Sequence, residues 1–170
     1  MGEPLLMMKA LTGRRQALGL SARAASTRAA MSPQTVRSWE RGDRCPSLER
    51  VTAYAATLGL QLVLVPGAAR SVPVPLAACA FHDRRPPVLR QLRATRLARE
   101  IPVAQAAAAL SVTSQALTAW ETGERRIQLD QAHAYADVLG LVLMVEEISP
   151  SGSTLVEAGA PASPPAGGLR

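Results

Sequence analysis

The side chains best suited to chemistry in this sequence lie in residues 32–42, SPQTVRSWERG. Amide, hydroxyl and guanidinium groups occur together here, and such groups hydrogen-bond to nucleic-acid base edges and to phosphate oxygens. In a helix, Val36 and Trp39 share one face because they are three residues apart, so they can be buried together. The polar residues then lie elsewhere on the helix: Gln34, Arg37, Ser38 and Arg41. A helix with an apolar inner side and a polar outer side is suited to lie in a DNA groove.

The same residues supply signals for where this helix begins and ends. Ser32 is suited to the N-cap, and Pro33 to the first helical position, where its missing N–H costs nothing. Gly42 can end the helix in a left-handed conformation. The sequence therefore predicts a short helix with defined ends.

This pattern occurs twice, since TSQALTAWETG in residues 113–123 repeats it at an offset of 81 residues. The match continues on both sides without a gap, and it pairs Trp39 with Trp120 and Tyr54 with Tyr135. The chain has only 2 Trp and 2 Tyr, so a chance match of rare residues at one fixed spacing is a poor explanation. We interpret the chain as a tandem repeat.

The charge is unevenly divided between the repeats. The net charge is +6, and residues 7–65 hold nine Lys/Arg against three Asp/Glu, whereas residues 88–147 hold six against seven. A basic balance favours a polyanionic partner. Almost all of these cations are arginine, which makes bidentate contacts to phosphate and guanine. The first repeat is therefore expected to make the stronger contacts.

Other functional classes have little support in the sequence. We find no apolar run of about 18 residues and no secretory signal, so no membrane span is expected and a cytoplasmic, nucleoid-associated protein is predicted. Cys45 and Cys79 suggest free thiols rather than a disulfide framework or metal site. His82 and His133 are isolated. No nucleophile–base pair, second acid or ligand set accompanies Glu40 or Glu121, so we predict neither an enzyme nor a cofactor.

The sequence predicts a mainly α fold made of two tandem units, residues 4–65 and 87–147. A Pro/Ala-rich linker, 66–86, joins them, and a disordered tail, 148–170, follows. Each unit is expected to hold four helices and one strand; the helices are predicted at 4–18, 22–29, 32–42, 47–58, 87–99, 102–110, 114–121 and 129–139.

The sequence predicts three further details of this arrangement. Leu11 and Leu18 are expected to share an apolar face, and Ser47 to cap the fourth helix. The strands 60–65 and 141–147 are expected to pair antiparallel within one chain, which would relate the units by a pseudo-twofold axis. Two independent units, or strands exchanged between two chains, are the alternatives.

Helix, short helix, turn, helix with W-E-x-G, loop and helix in this order resemble the lambda-repressor-like (Xre or Cro type) helix-turn-helix family. The motifs in the first unit are GLS at 19–21, SPQTV at 32–36, WERG at 39–42 and PSLE at 46–49; the second unit keeps TSQAL and WETG. The ending LGLQLVLVP also resembles Hip-type antitoxins. The resemblance implies sequence-specific binding of double-stranded DNA, with the third helix of each unit in the major groove.

The resemblance also implies roles for individual residues. The base-contacting positions correspond to Pro33, Gln34, Arg37 and Ser38, and in the second unit to Ser114, Gln115, Thr118 and Ala119. Ser32, Thr35 and Thr113 belong to the same predicted DNA-binding set, and the phosphate contacts correspond to Arg41, Arg44, Arg125 and Arg126. The family usually has Gln near the start of the second helix, where Ala22 and Val103 stand here; Arg23 is the predicted substitute in the first unit.

Six residues are predicted to be structural. Trp39 and Trp120 are expected in the core rather than at a base. A carboxylate that is desolvated beside a buried Trp is costly without a partner, and the resemblance implies that Arg15 pairs with Glu40 and Arg96 with Glu121.

The leading interpretation is a repressor-like transcriptional regulator whose partner is double-stranded DNA. One alternative is an antitoxin that regulates its own expression and binds a toxin, and homodimer formation is left open. Another is a protein-interaction adaptor whose second unit has lost DNA binding.

Overall fold

A computed structural model describes residues 3–67 and 85–148. Cys79, His82, most of the predicted linker and the predicted tail from residue 149 onward lie outside these ranges. The first unit contains α1 (Glu3–Ala17), α2 (Ala22–Arg28), α3 (Pro33–Glu40), α4 (Leu48–Thr57) and β1 (Leu60–Pro66). The second contains α5 (Pro87–Ala98), α6 (Val103–Ala109), α7 (Ser114–Thr122), α8 (Leu129–Val138) and β2 (Leu141–Glu147). The predicted mainly α tandem fold is confirmed.

The ends of α3 follow from the residues that flank it. The Ser32 hydroxyl accepts a hydrogen bond from the Thr35 N–H at 3.2 Å, and Pro33 is the first helical residue. At the other end, Gly42 has φ +80°, and its N–H donates to the Trp39 carbonyl at 3.0 Å. The Asp43 N–H reaches back to the Ser38 carbonyl at 2.9 Å. Both ends therefore use the signals seen in the sequence.

One local prediction was wrong, and another was confirmed in position only. Leu11 is fully buried, but Leu18 is 44 % exposed, because α1 ends at Ala17 and Leu18 lies beyond its last turn. Ser47 is the N-cap residue of α4, as predicted, but its side chain makes no capping hydrogen bond. Its backbone instead forms an isolated antiparallel bridge with Gln128.

The two strands form an antiparallel ribbon within one chain, which confirms the predicted pairing. The register places Leu60 opposite Glu147, Val63 opposite Met144 and Pro66 opposite Leu141. Backbone hydrogen bonds of 2.9 Å close both ends, from the Gly67 N–H to the Gly140 carbonyl and from the Ile148 N–H to the Gly59 carbonyl. Each of these bonds is the repeat equivalent of the other.

A second junction joins the units at the beginning of α4 and α8. The Leu48 N–H donates to the Ile127 carbonyl, and the Leu129 N–H donates to the Pro46 carbonyl, both at 2.9 Å. The bridged residues Ser47 and Gln128 again occupy the same repeat position. The ribbon and this bridge define a pseudo-twofold axis between the units.

Buried side chains of both units form one continuous core. Trp39 and Trp120 are each 3 % exposed, and Tyr54 and Tyr135 are completely buried. The rings of Trp39 and Tyr54 meet edge to face, with centroids 6.4 Å apart. A unit of about 60 residues buries so little surface that it is only marginally stable on its own. The shared core therefore stabilises both units.

Candidate nucleic-acid interface

The outer side of α3 presents polar groups while its inner side is held in the core. Val36 and Trp39 are buried, and Gln34 and Arg37 are exposed. The neighbouring hydroxyls are engaged within the helix, since Ser32 Oγ lies 2.8 Å from Thr35 Oγ1 and Ser38 Oγ donates to the Thr35 carbonyl at 2.9 Å. Among the predicted base-contacting residues of the first unit, Gln34 and Arg37 therefore extend furthest into solvent.

A groove of about 870 Å³ lies beside α3. Its walls come from α3, the α3–α4 loop and the start of α4, and the second unit adds Arg126 and Gln128. Four arginines line it: Arg41, Arg44, Arg50 and Arg126. The groove thus brings together three predicted phosphate-contacting residues and adds Arg50, which the sequence analysis missed because it lies on α4 outside the repeated motif.

Two of these arginines are already paired with carboxylates. Arg41 Nη2 lies 2.6 Å from Asp43 Oδ2, and Arg126 Nε lies 3.0 Å from Glu49 Oε2. Both pairs are solvent-exposed, and exposed ion pairs contribute only about 0–1 kcal/mol. Either arginine could therefore exchange its carboxylate for a phosphate at little cost. Within the described residues, Arg37 and Arg44 form no ion pair.

The matching surface on α7 is polar but uncharged. Ser114, Gln115 and Thr118 are exposed, and Ala119 is half-buried. The Thr113 hydroxyl caps the helix by accepting from the Ala116 N–H, and the Thr118 hydroxyl donates to the Ser114 carbonyl at 2.9 Å. Two exposed cations of this unit, Arg125 and Arg126, follow the helix, and a third, Arg99, follows α5.

A buried cluster of Arg15, Glu40 and Tyr54 fixes α3 against α1 and α4. Arg15 Nε and Nη2 donate to the two Glu40 oxygens at 2.6 and 3.0 Å, and Arg15 Nη1 donates to the Leu20 carbonyl at 2.7 Å. The Tyr54 hydroxyl donates to Glu40 Oε1 at 3.2 Å. The hydrogen bond to Glu40 raises the pKa of Arg15. Burial, together with the Glu40 charge, raises the pKa of Tyr54 to about 12.

The second unit repeats this cluster with Arg96, Glu121 and Tyr135. Arg96 Nε and Nη2 each lie 2.7 Å from a Glu121 oxygen, and Tyr135 donates to Glu121 Oε1 at 2.5 Å. Burial alone would raise the pKa of Glu121, but the hydrogen bonds from Arg96 and Tyr135 and the positive charges outweigh it, so that pKa is lowered.

The ion pairs thus lie where the sequence placed them, but the part played by the tyrosines was missed. The signal that could have revealed it was the recurrence of both tyrosines at the repeat offset. In each unit the cluster sets the orientation of the helix that carries the outward polar groups.

At the start of the second helix of each unit, Ala22 and Val103 pack against the core. Arg23 is exposed beside Ala22, whereas Ala104 stands at the equivalent position in the second unit. Only the first unit therefore has a cation at this position that can contact an external phosphate.

None of the helices within residues 3–67 and 85–148 is both long enough and apolar enough to cross a membrane. These residues hold no cluster of His, Cys, Asp and Glu that could bind a metal ion. Cys45 is a free, exposed thiol, and His133 is buried.

Two protein families match parts of the chain. The family described as Helix-turn-helix matches residues 13–65, and the family described as Helix-turn-helix domain matches residues 88–147. Together the matches cover about two thirds of the chain and include α3 and α7. Neither a curated protein nor a solved structure matches.

Proposed function

The chain belongs to the helix-turn-helix family as two tandem copies, and on this basis we propose that it is a repressor-like transcriptional regulator that binds double-stranded DNA sequence-specifically. Helix-turn-helix proteins place the second helix of the motif in the major groove, with its N-terminal residues at the base edges. In this chain those helices are α3 and α7. We assign them the contacts with bases.

The observation that carries this proposal is the placement of Gln34 and Arg37 on α3. Both are exposed, while the opposite face of the helix is anchored by Trp39 and by the Arg15–Glu40–Tyr54 cluster. Glutamine suits adenine and arginine suits guanine in bidentate major-groove contacts. A helix held rigidly while it presents these groups is suited to direct contact with bases.

The arginines beside α3 support the proposal because contacts with phosphates position a protein without specifying sequence. Arg44 and Arg50 are exposed in the groove next to α3, and Arg23 is exposed at the start of α2. Bound across a promoter, the chain would block polymerase by occupancy alone, which is why we favour repression.

The alternative functions receive less support. The antitoxin interpretation rests on the resemblance of the ending LGLQLVLVP to Hip-type antitoxins, and the strand that these residues form, β1, pairs with β2 of the same chain. The adaptor interpretation does not explain the exposed arginines of the first unit.

Selection of duplexes from a random pool by the purified chain, followed by mapping of bound sites in cells, tests this function. We expect one enriched motif, loss of binding by the double variant Gln34→Ala/Arg37→Ala, and reduced output of a reporter carrying the motif. A Leu97→Ala variant, altered at an exposed side chain of α5, serves as the matched control. Failure to enrich any sequence would exclude specific DNA binding, and increased reporter output would exclude repression.

A further inference from the structure

Comparison of equivalent positions in the two units shows that the first unit carries exposed arginines, several of them beside α3, that the second unit lacks. Five of them correspond to uncharged residues of the second unit: Arg23, Arg28, Arg37, Arg41 and Arg50 correspond to Ala104, Ala109, Thr118, Thr122 and Gln131. Among the exposed arginines of the first unit, only Arg44 has a basic equivalent, Arg125. The backbone frames are alike, so the difference lies in the side chains presented.

The frame itself is close to twofold symmetric. Val63 faces Met144 in the ribbon and Ser47 faces Gln128 at the second junction, and each pair joins equivalent residues. The buried clusters repeat as well, with two Arg–Glu hydrogen bonds and one Tyr–Glu hydrogen bond in each unit. One chain therefore holds two recognition helices in equivalent positions about one axis, as a symmetric dimer would.

The base-contacting groups differ across this axis. Gln34 and Gln115 are the same, but the guanidinium of Arg37 is replaced by the hydroxyl of Thr118. That hydroxyl donates to the Ser114 carbonyl within α7, so its proton is already used. At the next position, Ser38 is replaced by Ala119, which has no polar group. Helix α7 thus retains one side chain, Gln115, that can make a bidentate base contact.

The arginines that the second unit gains do not compensate for this loss. Arg93 and Arg99 stand where the first unit has Thr12 and Leu18, but Arg93 lies 3.8 Å from the buried Glu121, and Arg99 donates to the Leu139 carbonyl. Arg126 stands where the first unit has Cys45, but it pairs with Glu49 of the first unit at 3.0 Å and lines the groove beside α3. Its charge therefore adds to the basic surface of the first unit. The asymmetry is carried by the whole DNA-facing side rather than by one residue.

Operator symmetry mirrors protein symmetry in helix-turn-helix complexes. We infer that one chain occupies a complete two-half-site duplex, and that this duplex is non-palindromic. The half-site beneath α3 is specified by base contacts and held through many phosphates, whereas the half-site beneath α7 tolerates most sequences. This inference rests on the proposed DNA-binding function and adds the class of duplex that is bound.

The experiment takes the duplex enriched from the random pool, changes each base pair in turn, and measures affinity and stoichiometry by titration. Changes in the α3 half-site should weaken binding roughly five- to a hundredfold each, the usual range for a specified base pair. Apart from the base pair that Gln115 contacts, changes in the other half-site should cost less than about threefold. The complex should contain one chain per duplex.

A charge-gain variant gives an independent measurement. Thr118→Arg places on α7 the cation that α3 already has at Arg37. It should tighten binding and create a preference at the base pair beneath position 118, as expected for a bidentate Arg contact. Met144→Arg, at an exposed position of the ribbon, is the matched control and should change neither.

The outcomes separate the two proposals. Equal penalties in both half-sites, or two chains on one duplex that each use only α3, would overturn the non-palindromic single-chain target while leaving DNA binding intact. An equal gain from Thr118→Arg and Met144→Arg would also overturn it, because α7 would then have no special place on the duplex. Absence of binding to every duplex would overturn the proposed function itself.

Discussion

Val63 and Met144 lie directly opposite each other in the ribbon, although they occupy the same position in two copies of one repeat. When two copies of a repeat are related by a twofold axis, the residue nearest the axis in one strand pairs with its own equivalent in the other strand. Ser47 and Gln128 show the same relation at the second junction. The two units are therefore arranged about an axis rather than joined as independent domains.

This arrangement predicts that cysteines at positions 63 and 144 crosslink within one chain. Directly opposite residues have Cβ atoms about 4.5–5.5 Å apart, within reach of a disulfide after small adjustment. Val63→Cys/Met144→Cys, in a background with Cys45→Ser and Cys79→Ser, should give an intramolecular disulfide at low protein concentration, measured by mass under non-reducing conditions. Crosslinks found only between chains would show strand exchange instead.

Removing one partner of a buried ion pair should strongly destabilise the protein. The Arg96 and Glu121 side chains are 6 % and 4 % exposed, and loss of one partner from such a pair typically costs about 3–5 kcal/mol. Arg96→Met should therefore lower the free energy of unfolding by about that amount in denaturant titration. The more exposed pair, Arg15 and Glu40 at 11 % and 12 %, provides the comparison. A larger loss from Arg15→Met than from Arg96→Met would contradict this order.

Stability should also depend on the ionisation of Glu121. Its folded-state pKa is lowered, so its contribution is fully present above the unfolded pKa of about 4.3 and is lost as pH falls through the folded value. Unfolding measured between pH 7 and pH 2 should show this loss. In Glu121→Gln the acid-dependent loss should be smaller than in the wild type, and an unchanged acid profile would be inconsistent with the pairing.

Ionisation of Tyr54 should reduce the stability of the folded protein at alkaline pH. The pKa of Tyr54 is raised to about 12, so the folded state disfavours the phenolate. The contribution of Tyr54 is fully present below its unfolded pKa of about 10 and is lost as pH rises through 12. Denaturant titration between pH 9 and pH 12 should show this decrease, and Tyr54→Phe should reduce it. An identical decrease in that variant would assign it to other groups.

Relief of backbone strain at one position should stabilise the protein. Glu100 has φ +54°, and its repeat equivalent Gly19 has φ +66°. Because non-glycine residues are strained in this region, Glu100→Gly should stabilise the protein by about 1 kcal/mol, and the reciprocal Gly19→Glu should destabilise it similarly. No neighbouring atom lies within 4 Å of a Cβ added at Gly19, so the Gly19→Glu variant measures the cost of backbone strain without a steric clash. Destabilisation by Glu100→Gly, or stabilisation by Gly19→Glu, measured by thermal unfolding, would contradict this explanation.

The sequence alone predicted the features that local patterns determine. The ends of α3 follow from Ser32, Pro33 and Gly42, and the resemblance to the helix-turn-helix family predicted both Arg–Glu pairs. The pairing of the strands could be predicted because a lone strand leaves its backbone groups unmatched.

The features that were missed depend on the meeting of the two units. The Ser47–Gln128 bridge and the Arg126–Glu49 pair each join residues that are far apart in sequence. The Tyr54 hydroxyl was assigned no partner, since packing rather than spacing brings it to Glu40. The exposure of Leu18 follows from the end of α1 at Ala17, and helix ends are rarely fixed by periodicity alone.

The proposed specificity depends most on Arg37. Arg37→Ala should cost about 1–3 kcal/mol of binding free energy and relax the preference at one base position, as expected for loss of a bidentate contact. Thr118→Ala, the matched change in the second unit, should do less, because that hydroxyl already donates within α7. Equal losses in titrations on the enriched duplex would mean that the two units contribute equally.

The most direct test of the central claim is the salt dependence of binding to the enriched duplex. Neutralisation of several phosphates by the arginines around α3 predicts that log affinity falls linearly with log salt, with a slope of roughly −0.9 per phosphate contact. The double variant Arg44→Ala/Arg50→Ala should have a slope less negative by about 1.8. A slope near zero for the wild-type chain, or no binding at low salt, would contradict the claim that this surface binds DNA.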